Sequence, residues 1–235
     1  MKVTLINHTP MPEKMTAAAA KICYSNVQDV DTLMDDLTEE KIDSFLDKMK
    51  ELQNHGTPWE HPSFTFAIEG VSRAMSMQLV RHRLASYDQQ SQRYCDGENF
   101  DYITPPSIEK NPEMKEGYDR LMKASKDVYR ILVANGVPKE DARYVFTNAC
   151  TTRLITTMNV RSLMHFFALR CCLRAQWEIR AMADEMLKIC KETAPKLFEK
   201  AGSSCVQLGY CPEGKMSCGK APTLNELLKA YNEKG

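Results

Sequence analysis

Two kinds of hydrophobic periodicity, one typical of a strand and one typical of a helix, restrict the fold of this chain more than any other feature. Phe64, Phe66 and Ile68 occupy every second position, which is the spacing of a strand with one buried face. Residues 112–135 place apolar side chains at helical spacing instead, and this stretch ends at Asn135-Gly136, a common helix stop. Both patterns occur without an internal repeat or a low-complexity linker, so the sequence predicts a single α+β domain with a mixed or antiparallel sheet flanked by long helices.

The same reasoning gives a provisional element list. Strands are expected at residues 2–7, 63–71 and 150–157, and residues 84–106 form a long ordered loop with brief strands. Helices are expected from a Thr9 cap and Pro10 to about residue 24, from a Thr38 cap to His55-Gly56, and from a Ser72 cap over 73–83. Further helices are expected at 112–135, 138–149, 160–171, 174–200 and 224–231, with the rest of the tail after Gly202 irregular.

Composition narrows the range of partners and compartments. The chain has 31 basic and 31 acidic residues, so no overall field attracts it to nucleic acid or to a membrane surface. No apolar run approaches the roughly 20 residues that span a bilayer. Residues 1–7 look like a strand rather than a signal peptide, which predicts a cytoplasmic protein whose nine cysteines are free thiols.

The densest polar stretch runs from Arg81 to Tyr94 and contains three arginines and a histidine with one acidic residue. Such a group of cations is stabilised by an anion among them, and guanidinium forks match phosphate oxygens in pairs. A solvated helix end followed by a surface loop explains the composition equally well. His82 shares a helical face with Met75 and Leu79, so packing in the core is the alternative to a ligand contact.

A second cluster runs from Asn159 to Arg170. At 3.6 residues per turn, Arg170 falls on one stripe with three apolar residues, Leu163, Phe166 and Phe167. An unpaired buried cation is costly, so Arg170 either extends to solvent at the helix end or meets an anionic partner. Arg161 and His165 are four residues apart on the opposite side, so this helix can serve two ligands.

Other common site signatures are missing from the sequence. The turn from His55 to His61 carries two histidines and a glutamate but no helical His-Glu-x-x-His spacing, and Cys205, Cys211 and Cys218 form no Cys-x-x-Cys pair. We therefore expect no metal. No dinucleotide-binding glycine motif or phosphate-binding loop occurs either, so a nucleotide cofactor would be held in another way.

These clusters carry a family resemblance. Arg81-His82-Arg83, then seven residues, then Ser91 resembles the signature of flavin-dependent thymidylate synthases, and the likeness continues through Tyr94. Residues 159–170, Ala175–Ile179 and His55–His61 are also similar to this family, in the same order along the chain. The likeness covers residues 1–200, which are expected to form the catalytic domain, and leaves out the tail 201–235.

The resemblance implies the fold of thymidylate synthase-complementing proteins and a homotetramer whose active sites lie between subunits. Each site would hold FAD. The enzyme would methylate dUMP to dTMP with 5,10-methylenetetrahydrofolate as carbon donor and NADPH as reductant. The reaction would use flavin hydride chemistry and no enzyme nucleophile. With the balanced charge, we also expect no nucleic-acid partner and no membrane association.

Motif positions transfer the family's site residues to this chain. The implied FAD contacts are Thr57, Arg81, His82, Arg83, Gln89, Asn159, Val160, Arg161 and His165. The implied dUMP contacts are Gln78, Leu79, Val80, Arg81, Gln89, Gln90, Ser91, Gln92, Arg93, Arg143 and Arg170. Among these, Ser91 and Arg93 would bind the phosphate in a neighbouring subunit's site, and Arg170 would be the catalytic cation that stabilises negative charge on the uracil ring.

One departure from the family pattern affects the mechanism. Where the family commonly carries glutamate and often asparagine, this chain has Gln89 and Asp88, so a step that needs a carboxylate at position 89 is in doubt. Two alternative functions stay open from sequence. One is a nucleotide- or RNA-binding module with an arginine phosphate clamp, and the other is a flavin oxidase-like protein without a folate substrate.

Overall fold

The computed structural model describes residues 1–26, 29–51, 56–97 and 100–232. Its strands are β1 (Lys2–His8), β2 (Ser63–Ser72), β3 (Ser86–Gln89) and β4 (Thr151–Asn159). Its helices are α1 (Pro12–Lys21), α2 (Val30–Asp35), α3 (Glu39–Glu51), α4 (Arg73–Leu79), α5 (Pro106–Glu109), α6 (Pro112–Ala134), α7 (Lys139–Ala142), α8 (Val160–Arg170), α9 (Trp177–Thr193), α10 (Pro195–Phe198), α11 (Ser204–Leu208) and α12 (Leu224–Asn232). In the part of the chain that is described, no helix combines the length and apolar character needed to cross a membrane.

The four strands form one antiparallel sheet in the order β1-β2-β4-β3. The alternation in β2 is realised in the structure, because Phe64, Phe66 and Ile68 are fully buried while the residues between them are partly exposed. Ser72 ends the strand and caps α4, since its side chain accepts a hydrogen bond from the backbone N–H of Met75 at 3.0 Å. The predicted α+β class and the strand-to-helix junction at Ser72 are confirmed.

The chain divides into two compact units. The first consists of residues 1–4, 67–83 and 87–156, and the second of residues 5–66, 84–86 and 157–235. In the first unit, the Phe146 ring contacts both Tyr129 and Phe100, with centroids 4.5 Å apart in each pair. In the second, Phe198 meets Phe64 edge-on at 5.4 Å. A domain boundary at residue 200 stays a prediction.

The first helix does not begin where the sequence suggested. Pro12 rather than Pro10 is its first residue, Met11 precedes it in a left-handed conformation with φ of 45°, and the helix ends at Lys21. Thr9 does not cap the helix, because it bonds instead to Ser63: the Thr9 N–H donates to the Ser63 carbonyl, and the Thr9 hydroxyl accepts from the Ser63 N–H. The pairing of Thr9 with Ser63 therefore extends β1 to His8 and moves the start of the helix to Pro12.

Three helix lengths also differ from the sequence expectation. The helix expected over 138–149 stops after α7 and a short 3-10 turn, because Phe146 adopts an extended conformation and its ring enters the core of the first unit. The helix expected over 174–200 begins at Trp177, capped by Gln176, and breaks at Ala194. Ala194 precedes Pro195, and proline disfavours a helical conformation at the residue before it. The helix expected over 73–83 ends at Leu79.

Several other expectations are confirmed, and the tail is partly ordered. Thr38 caps α3, the long helix α6 ends at Asn135, and α12 falls where the final helix was expected. The tail also contains α11 and a 3-10 turn over Gly214–Met216, which were not anticipated. The expected end of the second helix near His55 lies outside the described residues.

Candidate active site

The Arg81–Arg83 segment begins directly after α4, which ends at Leu79 rather than continuing to residue 83. The Leu79 carbonyl accepts hydrogen bonds from the His82 N–H at 3.0 Å and from the Tyr87 hydroxyl at 2.9 Å. The Tyr87 hydroxyl also lies 2.8 Å from the His82 carbonyl. These bonds replace the next helical turn, so Arg81 lies in a turn and does not share a helix face with Gln78.

This turn separates the buried histidine from the exposed arginines. His82 is buried, which confirms that it faces the core. Arg81 and Arg83 are exposed, and neither has an acidic partner in the described chain. Gln78 is half-buried and its amide lies 3.4 Å from the Ala74 carbonyl, near the weak end of hydrogen bonding. The two guanidinium groups are thus available to an anionic ligand.

Gln89, on β3, connects two neighbouring elements of the first unit through its side chain. Its amide nitrogen donates to the Ser76 hydroxyl on α4 at 2.9 Å and to the Thr152 hydroxyl on β4 at 3.1 Å. Ser76 in turn donates to the Arg73 carbonyl at 3.0 Å, so its hydroxyl needs a donor from the side of Gln89. The amide at this position supplies that donor, which a carboxylate lacks.

Arg93 and Arg143 are 50 positions apart in the sequence, and the structure brings both to Glu140. The Arg93 guanidinium contacts the Glu140 carboxylate at 2.8 and 3.0 Å, and the Arg143 Nε donates to the Glu140 carbonyl at 3.0 Å. Ser91 lies beside Arg93, whose N–H donates to the Ser91 hydroxyl at 3.2 Å. Two of the arginines implied to contact dUMP therefore lie at one place in the first unit.

Arg73 belongs to the same group of cations, although the sequence analysis did not single it out. It is the first residue of α4, half-buried, and has no acidic partner among the described residues. Burial lowers the pKa of its guanidinium, and the nearby charge of Arg143 lowers that pKa further. The one sequence feature that could have pointed to Arg73 was its position between β2 and the Arg81–Arg83 motif.

Gln90, Ser91 and Gln92 line a cavity of about 230 Å³ in the first unit. Its other walls include Phe100, Phe146, Cys150 and Thr151. The Gln92 amide donates weakly to the Cys150 thiol at 3.8 Å, and burial raises the pKa of that thiol to about 11. This cavity combines amide and hydroxyl groups with aromatic walls. Leu79 is fully buried and Val80 is exposed, so the Leu79 side chain has no access to a surface ligand.

In the second unit, Asn159 fixes the start of α8. Its side chain accepts a hydrogen bond from the Ser162 N–H at 2.8 Å, which is a helix cap, and the neighbouring Val160 N–H donates to the Pro62 carbonyl at 3.0 Å. Val160 itself is fully buried. Asn159 was expected only as a cofactor contact, and its capping role is a structural function that the sequence analysis did not assign.

Arg170 ends α8 on the stripe that the sequence predicted. Leu163, Phe166 and Phe167 are fully buried, and Arg170 is half-buried. Its Nε is buried and has no hydrogen-bond partner, and its guanidinium has no acidic partner in the described residues. Leaving such a donor unsatisfied costs about 1–3 kcal/mol or more, a penalty that a bound acceptor removes. The buried, unsatisfied Nε favours a bound acceptor over a purely solvent-directed arginine.

Arg161, near the start of α8, forms an ion pair with Glu60 and lies against Gly56. A Cβ at Gly56 would come within 3.2 Å of the guanidinium carbon, so glycine leaves the space that Arg161 occupies. Thr57 begins the 3-10 turn beside it and is exposed, as is His165. Exposed polar side chains thus accompany Arg161 in the second unit, while His55 lies outside the described residues.

The fold and these side chains define a class: an α+β protein with several guanidinium groups that lack acidic partners among the described residues. A sequence profile described as thymidylate synthase complementing protein matches residues 4–196. The chain belongs to this family.

Relatives match it along nearly its whole length. A flavin-dependent thymidylate synthase of Geobacter sulfurreducens is 50% identical over 231 residues, covering 97% of this chain and 98% of that protein. The enzymes of the same description from Clostridium tetani and Pyrococcus furiosus are 49% and 41% identical, covering 97% and 91% of this chain and 96% and 90% of theirs.

Proposed function

We propose that this chain is a flavin-dependent thymidylate synthase. It methylates dUMP to dTMP, takes the carbon from 5,10-methylenetetrahydrofolate and takes the electrons from NADPH through FAD. The observation that carries the proposal is the unsatisfied Nε of Arg170, held against an apolar wall. It occurs in a chain that is 50% identical to an enzyme of this description over almost its full length.

The residues that would hold FAD fit an anionic, hydrogen-bonding cofactor. Arg81 and Arg83 are exposed and have no acidic partner in the described part of the chain, and Arg161, paired with Glu60, is the third cation assigned to FAD. Guanidinium groups bind a pyrophosphate in pairs of hydrogen bonds. The remaining assigned contacts are Thr57, His82, Gln89, Asn159, Val160 and His165, of which His82 and Val160 are buried. When bound, FAD supplies the reducing hydride of the reaction.

The dUMP phosphate is assigned to Ser91, Arg93 and Arg143, with Arg73 nearby. Arg73, Arg93 and Arg143 lie in this region and Glu140 pairs with Arg93, so a phosphate dianion would gain charge-assisted hydrogen bonds from guanidinium groups there. The uracil and sugar fall to the other residues implied by the motif, which are Gln78, Leu79, Val80, Arg81, Gln89, Gln90, Gln92 and Arg170. Among these residues, the Leu79 side chain is buried.

Arg170 is assigned the catalytic role. Its guanidinium would donate hydrogen bonds to the N3–O edge of uracil and stabilise the negative charge that develops as the ring is activated at C5. Electrostatic stabilisation by one well-placed donor is worth about 3–4 kcal/mol, a factor of roughly 10²–10³ in turnover. The buried side of the guanidinium, away from water, strengthens the interaction.

The residues that the structure describes include no activated nucleophile beside these groups. Burial raises the pKa of the Cys171 thiol, and a hydrogen bond to Asp184 raises that pKa further, so its reactive thiolate form is disfavoured at neutral pH. Ser91 accepts a hydrogen bond from a backbone N–H, and no described hydrogen bond links it to a base. Both features favour hydride chemistry over attack by the enzyme on uracil C6.

A homotetramer with active sites between subunits is part of the proposal. Helix α6 carries Met114, Leu121, Val128 and Ile131 on its surface, all of them exposed, and the first three repeat every seven residues. A heptad stripe of this kind is a helix-packing surface. Association of copies through such surfaces would explain why apolar side chains are left open on a helix that otherwise contacts its own unit.

A cytoplasmic location is also proposed. All nine cysteines are free thiols, including the exposed Cys23, Cys95 and Cys218. Exposed thiols persist in a reducing compartment, whereas oxidising compartments convert them to disulfides.

Release of tritium from [5-³H]dUMP tests the proposed reaction directly. The purified protein is expected to be yellow, and it should release tritium and form dTMP only when 5,10-methylenetetrahydrofolate and NADPH are both present. Omitting the folate separates this enzyme from a flavin oxidase, because only an oxidase would keep consuming NADPH at an undiminished rate. A colourless protein that makes no dTMP with added FAD would contradict the proposal.

A further inference from the structure

Five of the nine cysteines line one cavity of about 320 Å³ in the second unit, and none of the residues that line it is assigned a role in the proposed reaction. They come from two parts of the chain, the segment just after α8 and the tail. The five are Cys171, Cys172, Cys205, Cys211 and Cys218, and all are free thiols. No role in the proposed reaction accounts for so many thiols around one space.

Hydrogen bonds from α11 hold the tail against α8. The Ser204 hydroxyl donates to the Ala168 carbonyl at 3.1 Å, and the Gln207 amide donates to the Met164 carbonyl at 2.8 Å. Farther along the tail, Glu213 forms an ion pair with Arg174. These three contacts hold the tail and the segment after α8 around one cavity, so both segments present thiols to the same space.

The five thiols differ in access and reactivity. Cys218 is exposed, Cys205 is half-buried with its sulfur 3.2 Å from the Ser203 hydroxyl, and Cys211 is buried. On the other side of the cavity, the pKa of Cys171 is raised, while Cys172 is half-buried. An oxidant from solvent therefore reaches a tail thiol first.

We propose that this cavity is a site of oxidation by hydroperoxides, at which a tail thiol forms a disulfide with Cys171 or Cys172. The tail sulfur attacks the peroxide, the O–O bond breaks, and the products are a sulfenic acid and an alcohol, or water when the oxidant is hydrogen peroxide. The second thiol displaces the sulfenic oxygen as water while the S–S bond forms. The two sulfurs lose two electrons in total, which the peroxide gains.

A structural metal site is the competing explanation for clustered cysteines. Among the described residues, however, no group of three or more cysteine, histidine or acidic side chains is arranged to hold a metal ion. Structural zinc sites need four ligands in tetrahedral geometry. Pairwise thiol chemistry requires only two sulfurs, which the cavity provides.

Tryptic mapping of the full-length protein separates the possible linkages. Trypsin places Cys171 and Cys172 in the fragment 171–174, Cys205 and Cys211 in 201–215, and Cys218 in 216–220. After brief treatment with hydrogen peroxide and blocking of free thiols, we expect fragment 171–174 linked to one of the tail fragments and released by dithiothreitol. Cys23 and Cys95, exposed and outside the cavity, should remain unlinked.

Three variants complete the experiment. The double variant Cys171→Ser/Cys172→Ser should lose the link, and Cys95→Ser should retain it. Recovery of fragment 171–174 fully blocked from the oxidised wild-type protein would overturn the proposal, even if the tail thiols join one another. So would one equivalent of zinc per purified chain that is lost in the triple variant Cys205→Ser/Cys211→Ser/Cys218→Ser. Neither result depends on thymidylate synthase activity.

Discussion

The Arg93 guanidinium lies 2.8 Å from the carboxylate of Glu140, whose own carbonyl accepts a hydrogen bond from Arg143. Glu140 is therefore paired with Arg93, a cation that the proposed function assigns to the dUMP phosphate. Both side chains of this pair are about half exposed, so the pair is worth about 0.2–1 kcal/mol and a phosphate dianion can displace the carboxylate. The residue thus competes with the nucleotide.

Removing the charge of Glu140 should strengthen nucleotide binding. In Glu140→Gln, Arg93 loses its anionic partner and the phosphate no longer meets a nearby carboxylate, so we expect the Kd of dUMP to fall about two- to fivefold. A titration followed by flavin absorbance or calorimetry measures this. Glu116→Gln, which removes an equally ordinary surface pair with Arg120, is the control and should leave the Kd unchanged. Weaker dUMP binding in Glu140→Gln would contradict the account.

Arg73 should act on the phosphate alone. Its half-buried guanidinium lacks an acidic partner in the described chain, and Arg73→Ala is expected to weaken dUMP binding about tenfold, as loss of a charged hydrogen bond does. Deoxyuridine, which has no phosphate, should bind the variant and the wild-type protein equally. Arg73→Lys should recover part of the affinity. If deoxyuridine binding falls as much as dUMP binding, Arg73 supports the fold rather than the phosphate.

Gln89 should stabilise this chain better than the glutamate common in the family. Its amide donates to two hydroxyls, and Ser76 already uses its own proton on the Arg73 carbonyl. Gln89→Glu leaves Ser76 able to satisfy only one of two acceptors, which should cost about 1–2 kcal/mol and lower the Tm by about 3–6 °C. Asp88→Asn, at the exposed neighbouring position, should change the Tm by less than about 2 °C. An unchanged or raised Tm in Gln89→Glu would show that the amide is not needed.

Tyr87 should hold the Arg81–Arg83 turn in place. Tyr87→Phe removes the hydroxyl that lies between the Leu79 and His82 carbonyls, so we expect a loss of about 1–2 kcal/mol in the free energy of unfolding and reduced retention of FAD. Tyr144→Phe, at an exposed position, is the matched control for both measurements. Equal Tm values and equal flavin content in the two variants would count against this role.

The sequence correctly predicted those helices and strands whose first and last residues are set by contacts between residues close in sequence. The alternation in β2, the Ser72 cap and the end of α6 at Asn135 all depend on contacts within a few positions, and each was predicted correctly. The end of α4 depends instead on a hydroxyl eight residues away, at Tyr87, and the start of α1 on a strand pair 54 residues apart. Sequence periodicity carries no information about such distant partners.

The candidate site divides in the same way. The stripe that ends at Arg170 was visible because helical periodicity places it beside buried apolar residues. The ion pair between Arg93 and Glu140 joins residues 47 positions apart, and sequence spacing could not predict it. Arg73 was missed because it stands alone before the motif, and an isolated helical arginine is ordinary until its burial and lack of a partner are known.

Turnover of Arg170→Ala at saturating dUMP tests the central claim most directly. Loss of the cation beside the uracil ring should reduce kcat about 10²–10³-fold while the purified variant keeps its FAD and its Tm. Arg120→Ala, an exposed arginine on α6, should retain full activity. A kcat for Arg170→Ala within twofold of the wild-type value, with dUMP saturating and FAD bound, would contradict the account.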